Sequence, residues 1–96
     1  MNKLDFNEDA ELLKLLGHPI RLCIVAGLIE EEGGCNVTTI HECLGVPQST
    51  ISQHLALLKA HGILISTRKG TEMCYSVCSD MAKQIVALLL QQKSLM

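Results

Sequence analysis

The stretch Val37–Ile65, VTTIHECLGVPQSTISQHLALLKAHGILI, decides the fold of this chain. Apolar residues recur every three to four positions on both sides of residues 45–47, and this periodicity predicts two helices. Gly45 suits the end of the first helix, and Pro47 suits the entry to the second. The second predicted helix, Gln48–His61, is polar at its start and apolar along one side. The stretch therefore predicts two short helices joined by a tight turn.

Short polar side chains crowd the first turns of this second helix. Glutamine can pair with N6 and N7 of adenine, and serine and threonine can contact base edges or phosphates. Amides at a helix N-terminus also favour a phosphate. A DNA-reading helix needs a polar N-terminal half and an apolar side that docks on the rest of the domain. The alternative interpretation is a polar face that contacts only solvent. His54 of this helix either contacts DNA or packs against the protein. The expected DNA contacts are Gln48, Ser49, Thr50, Ser52, Gln53, His54 and Lys59.

A β-hairpin follows the two helices. Residues 65–77 alternate apolar and polar side chains around a tip at residues 68–71, RKGT. Basic side chains beside a recognition helix suit the DNA backbone or the minor groove. We therefore expect Arg68, Lys69 and Thr71 to contact DNA.

Helices are also predicted on both sides of this unit. Residues 8–16 form a short amphipathic helix that Gly17 ends, and Ile20–Glu31 forms the next. Thr39 with Glu42 fits a capping box for the helix after Val37, although Asn36 or Thr38 could also cap it. The order is completed by a last helix, Met81–Lys93.

This order predicts a mainly α fold with a small β-hairpin. It is the α-α-α-α-β-β-α order of a winged helix-turn-helix, and residues 1–96 form a single domain of this type. The two terminal helices, residues 8–16 and 81–93, carry more apolar surface than one contact face needs. We therefore expect a homodimer that pairs through these helices.

Composition and charge are consistent with a DNA-binding protein. The net charge is −2, but residues 1–46 carry three basic and eight acidic side chains, and residues 47–96 carry five basic and two acidic ones. The basic surplus therefore lies in the half with the proposed recognition helix and wing.

Several classes of protein are not indicated. Residues 1–13 are acidic and lack the pattern of a signal peptide, and no apolar run approaches the about 18–20 residues of a membrane span. We expect a cytoplasmic protein without membrane contacts. The five cysteines are odd in number and lack a compact framework, which favours reduced thiols. No catalytic arrangement, phosphate loop or carboxylate pair indicates an enzyme, and no cofactor is expected.

Three segments resemble the ArsR/SmtB family of bacterial repressors. They are LLGHPIRLCIVAGL (15–28), PQSTISQHLALLKAHGIL (47–64) and RKGTEMCYSV (68–77), and the resemblance spans about residues 10–90. It implies a winged-helix homodimer that represses transcription from a palindromic double-stranded DNA operator. It also implies that an inducer weakens DNA binding.

The family's known sensor sites do not map onto this chain. The positions of the third-helix thiolates fall at Asn36 and Thr38, and the further thiol of the arsenite motif falls at His41. Residues 81–96 contain no His, Asp, Glu or Cys. The zinc site of the last helix is therefore excluded. The family's persulfide-sensing pair is excluded as well, because one of its two cysteines lies in the last helix. Cys35, with His41 and Cys43, is left as a candidate thiol-oxidant or soft-metal switch, with no metal assigned.

A structural role is favoured for two of the five thiols. Cys23 and Cys43 lie among apolar residues, where a small buried hydrophobe is favoured. Cys74 and Cys78 are four residues apart on one strand, about 13 Å, which is too far for a disulfide. Two alternatives stay open for the whole chain. They are a winged-helix module that binds a protein, and a regulator without a sensor site.

Overall fold

The computed structural model describes residues 4–31 and 34–94, and the side chains of Cys35 and Cys43 lie outside the described part. The described elements, in chain order, are α1 (Asn7–Leu16), α2 (Pro19–Glu30), β1 (Cys35–Asn36), α3 (Val37–Leu44), α4 (Gln48–Ala60), β2 (Leu64–Lys69), β3 (Glu72–Val77) and α5 (Asp80–Ser94). A mainly helical chain with an antiparallel hairpin confirms the predicted fold class. The structure adds β1, which the sequence did not predict.

The three strands form one antiparallel sheet in the order β1-β3-β2. β2 and β3 pair from Leu64↔Val77 to Lys69↔Glu72. Arg68 and Lys69 are therefore the last two residues of β2, and the tip consists of residues 70 and 71 alone, which corrects the predicted four-residue tip. Gly70 has a φ of 65°, the left-handed conformation that a two-residue hairpin turn requires.

Side-chain caps begin three of the described helices, and at α5 the Ser79 hydroxyl accepts a hydrogen bond from the Ala82 amide at 3.1 Å. His18 starts α2, and its Nδ1 accepts a hydrogen bond from the Ile20 amide at 3.1 Å. Asn36 starts α3, and its Oδ1 accepts from the Thr39 amide at 2.8 Å. Of the three caps that the sequence left open for α3, the structure uses Asn36.

The first two helices meet at a sharp corner. α1 and α2 are bent by 92° at the short break between them. Among the described residues no single helix is long and apolar enough to cross a membrane. α1 and α2 reach the length and apolar composition of a membrane span only when taken together, across that corner.

The hydrophobic core lies behind α4. Ile51, Leu55 and Leu58, on the apolar side of this helix, are buried, each with 0% of its surface exposed. α1 and α5 both pack against α2, and β2 packs against α4. The buried core residues are Leu15, Leu16, Ile24, Val25, Leu28, Ile40, Ile51, Leu55, Leu58, Ile63, Leu64, Val77, Ala82 and Val86.

Candidate nucleic-acid interface

The solvent side of α4 carries the polar residues that the sequence singled out. Ser49, Ser52 and Gln53 are exposed and lie opposite the buried stripe of the same helix. A helical period of 3.6 residues explains this division, because positions 49, 52, 53 and 56 point away from positions 51, 55 and 58. Gln48 is also exposed, and Thr50 is half-buried. The structure thus leaves an uninterrupted polar surface over the first two turns of α4.

The first turn of α4 begins without a side-chain cap. Pro47 is the N-cap residue, and its carbonyl accepts from the amides of Thr50 at 3.0 Å and Ile51 at 3.1 Å. Proline has no side-chain acceptor for the first amides of the helix. An anion such as a phosphate is the kind of group that such a helix start stabilises.

His54 is turned toward the start of α2 rather than toward the polar surface. Its ring is half-buried and lies 4.7 Å from the ring of His18, centroid to centroid. Arg21 Nη1 approaches His54 Nδ1 at 3.5 Å, near the limit of a hydrogen bond. Burial, with smaller contributions from His18 and Arg21, lowers the pKa of His54. Of the two predicted roles for this residue, the structure shows the packing contact.

The wing lies directly after α4 in the chain. Gly62, with a φ of 77°, ends the helix, and two residues later β2 begins. Arg68, Lys69 and Thr71 are all exposed at the far end of the hairpin. Lys59 is exposed too, but it lies in the last turn of α4, about 16 Å along the helix axis from Gln48. The predicted DNA contacts therefore form two groups, one at the start of α4 and one on the wing, with Lys59 beyond the first.

Two residues of this region were missed by the sequence-based prediction. Asn36 Nδ2 donates a hydrogen bond to Glu72 Oε2 at 2.8 Å and so joins the start of α3 to the start of β3. Arg21 connects α2 with α1, because its Nε donates to the Leu15 carbonyl at 2.6 Å. The sequence singled out Asn36 as one of three possible caps and as a position where relatives carry a thiolate, and nothing in the sequence indicated a partner in the wing.

The predicted thiol switch cannot be built from the described side chains. The backbones of Cys35 and Cys43 belong to β1 and α3, but their side chains lie outside the described residues. His41 Nδ1 is in hydrogen-bond contact with the Val46 carbonyl. Within the part of the chain that the structure describes, no group of three or more His, Cys, Asp or Glu residues is arranged to hold a metal ion. The switch at Cys35, His41 and Cys43 stays a prediction.

The prediction for Cys23 was wrong. Its thiol is exposed, because position 23 lies on the opposite side of α2 from the buried residues Ile24, Val25 and Leu28. It lines a cleft of about 230 Å³ between α2 and α3, together with Gly27, Leu28 and Ile40. Cys78 also differs from expectation, because β3 ends at Val77 and the thiol of Cys78 donates to the Gly62 carbonyl at 3.3 Å.

The fold and this surface define a winged helix-turn-helix DNA-binding protein. The family model described as "Helix-turn-helix domain" matches residues 16–67, more than half of the chain. The transcriptional repressor PagR of Bacillus anthracis is 41% identical over 86 residues, which cover 90% of this chain and 85% of PagR. Its crystal structure superposes with a TM-score of 0.79 at 42% identity, covering 88% of this chain and 94% of that one.

Two further relatives agree with this class. The repressor SmtB of Mycobacterium tuberculosis is 40% identical over 76 residues, 79% of this chain and 55% of SmtB. HlyU from Vibrio cholerae has a TM-score of 0.86 at 27% identity, covering 96% of this chain and 97% of that one. The chain belongs to the ArsR/SmtB family of winged helix-turn-helix transcriptional repressors, which are DNA-binding regulators and not enzymes. The predicted family and the prediction that the chain is not an enzyme are thereby confirmed.

Proposed function

We propose that the chain acts as a homodimeric repressor that reads a palindromic operator with the polar surface of α4. The observation that carries this proposal is the exposure of Gln48, Ser49, Ser52 and Gln53 on a helix whose opposite side is fully buried. A rigid apolar anchor and a polar outer surface allow the helix to enter the major groove without rearranging the core.

Charged and polar residues outside the first turns would position this helix. In the proposal Arg68, Lys69 and Thr71 of the wing contact phosphates or the minor groove beside the half-site, and Lys59 contacts a flanking phosphate. These contacts carry affinity but little sequence information. Thr50, half-buried beside the Pro47 carbonyl, contacts the backbone at the start of the helix. His54 supports the helix from behind, through His18 and Arg21.

A dimer would double this interface. Leu13 of α1 and Met81, Leu88 and Leu89 of α5 are exposed large apolar side chains on the two terminal helices. Burying them against a second copy would give a dimer whose two recognition helices are related by a two-fold axis. Such a dimer reads half-sites about 34–36 Å apart, one turn of B-DNA, and this symmetry makes the operator palindromic.

Release from DNA is the regulatory part of the proposal. A thiol oxidant or a soft metal bound by Cys35, His41 and Cys43 would act on α3 and on the turn into α4. The contact of His41 Nδ1 with the Val46 carbonyl supports this route. It leaves Nε2 as the ring atom for a ligand, and it links any change at His41 to the turn.

The experiment begins by selecting binding sequences from a random duplex library with the purified protein, because the operator is undefined. Gln53→Ala should then weaken binding to the selected palindrome by about 1–3 kcal/mol and relax preference at one base pair in each half-site. Gln84→Ala, an exposed glutamine on α5, is the matched control and should bind like the original protein.

Two results would contradict the proposal. Selection that yields no enriched sequence would exclude sequence-specific DNA binding, and unchanged affinity of Gln53→Ala would remove the recognition role of α4. A gel shift with the selected duplex in the presence of diamide, and of Zn²⁺ or Cd²⁺, tests release of the protein from DNA. Equal binding under all these conditions would leave a regulator without such a switch.

A further inference from the structure

A hydrogen-bonded connection joins the helix-turn-helix to the wing at Asn36. One oxygen and one nitrogen of this single side-chain amide are both used. Oδ1 accepts from the Thr39 amide at 2.8 Å, and Nδ2 donates to Glu72 Oε2 at 2.8 Å. Because the first bond fixes the rotamer, the second holds Glu72 in a defined place relative to the start of α3.

Backbone pairing places the two partners beside each other. In the β1–β3 ladder Asn36 lies opposite Cys74, and Glu72 is two residues further toward the wing tip on the same side of the strand. Gly34, just before β1, approaches the wing so closely that a Cβ there would lie 2.5 Å from the Tyr75 carbonyl oxygen. The root of the wing is thus fixed by β1, and its far end is held through Glu72.

We propose that Asn36 and Glu72 are positioning residues that set the wing at the angle at which its basic side chains meet DNA. The inference rests on the proposed function, since it assigns the geometry of the same interface. Glu72 carries a negative charge next to a basic tip. Its value for DNA binding lies in the hydrogen bond to Asn36, because a carboxylate near phosphates is otherwise unfavourable.

Asn36→Ser separates this role from the other roles of Asn36. Serine keeps the helix cap and leaves the charge unchanged, but its short hydroxyl does not span the distance to Glu72. We expect binding to the selected duplex to weaken about three- to tenfold, the range for losing one hydrogen bond. We also expect the slope of log K against log salt to fall by about one to two, as wing phosphate contacts are lost.

Two further variants distinguish positioning from simple charge. Glu72→Gln keeps an acceptor for Asn36 Nδ2 and removes a negative charge, so it should bind at least as tightly as the original protein. Asn36→Asp combined with Glu72→Gln reverses donor and acceptor at unchanged net charge, and it should restore the affinity and salt slope that Asn36→Ser loses. Wild-type affinity and slope for Asn36→Ser would overturn the proposal, as would a double variant that binds no better than Asn36→Ser.

A measurement without DNA keeps this test separate from the proposed function. Amide hydrogen exchange of residues 70–74 in the free protein should be several-fold faster in Asn36→Ser, while exchange in α4 is unchanged. Failure of the original protein to bind any selected duplex would contradict the proposed function alone. Unchanged wing exchange in Asn36→Ser would contradict the positioning role alone.

Discussion

At the scale of single residues, Arg21 and two histidines connect α1, α2 and α4. Arg21 is a donor only, so its approach to His54 Nδ1 at 3.5 Å makes that nitrogen an acceptor. His18 Nδ1 is an acceptor as well, because it receives the Ile20 amide proton. His54 is therefore neutral in this arrangement, with its ring proton on Nε2. Protonating His54 would remove the hydrogen bond that Nδ1 accepts and add positive charge beside the Arg21 guanidinium.

Acid should therefore destabilise the folded chain through His54. The pKa of His54 is lowered in the folded state, whereas an unfolded histidine titrates near ~6.5. The unfolded chain then binds more protons between these two values, so stability from His54 is complete above pH ~6.5 and is lost as pH falls toward the lowered folded pKa. We expect the urea midpoint to fall between pH 7.5 and 5.5, and to fall less in His54→Gln, which carries no titrating ring. Equal pH dependence in both proteins would contradict this role.

The sequence predicts which side chains of a helix face the core only where apolar and polar residues alternate with the helical period. Ile51, Leu55 and Leu58 of α4 stand out against polar neighbours, and the structure buries all three. α2 is apolar almost throughout, so its sequence gives no contrast between faces, and Cys23 was placed inside although it is exposed. The contacts of His54 with His18 and Arg21 join residues more than 30 positions apart in the chain, which local sequence does not encode.

At the scale of elements, the wing is the part whose role is most directly measurable. Arg68 and Lys69 are exposed at the end of β2, and Arg68 lies opposite Met73 in the hairpin register. In an antiparallel ladder neighbouring residues alternate between the two faces of the sheet. The two basic side chains therefore project from opposite faces of the hairpin, which suits phosphates on either side of a groove.

The double variant Arg68→Ala, Lys69→Ala should weaken binding to all sequences alike. Each phosphate contact contributes about 0.9 to the slope of log K against log salt, so losing two should reduce the slope by about two. Fluorescence anisotropy across a salt series, with the selected duplex and a scrambled duplex, measures both effects. Lys83→Ala, an exposed lysine on α5, is the control. A changed sequence preference with an unchanged slope would contradict a phosphate-binding wing.

The helices of this chain could be predicted from the sequence, and one strand could not. Helix ends are marked by residues with a local physical reason, such as Gly45, which adopts a φ of 68° at the end of α3. β1 has two residues, too few for any alternation, and it exists because β3 offers it a pairing edge. The connection from Asn36 to Glu72 follows from that pairing, so it could not be predicted before the strand was known.

At the scale of the whole molecule, the terminal helices carry apolar surface that the core does not use. On α5, Ala82 and Val86 face the core, while Met81 and Leu88 form a separate exposed stripe, seven residues apart on one side of the helix. Leu88 has 58% of its surface exposed, and Leu13 of α1 has 55%. Apolar stripes on two helices that both pack against α2 favour association with a second copy of the chain.

Leu88→Asp should convert a dimer into a monomer without unfolding it, because Leu88 lies outside the buried core. Sedimentation velocity at micromolar concentration should give a dimer for the original protein and for the control Ser94→Asp, which adds the same charge at an exposed polar position of α5 on a different side from Met81 and Leu88. The monomer should still contact a half-site, but its affinity for the palindrome should fall by ~10²–10⁴, the gain that two linked contacts provide. A monomeric original protein that binds the palindrome tightly would contradict this assembly, since one recognition helix cannot read two half-sites.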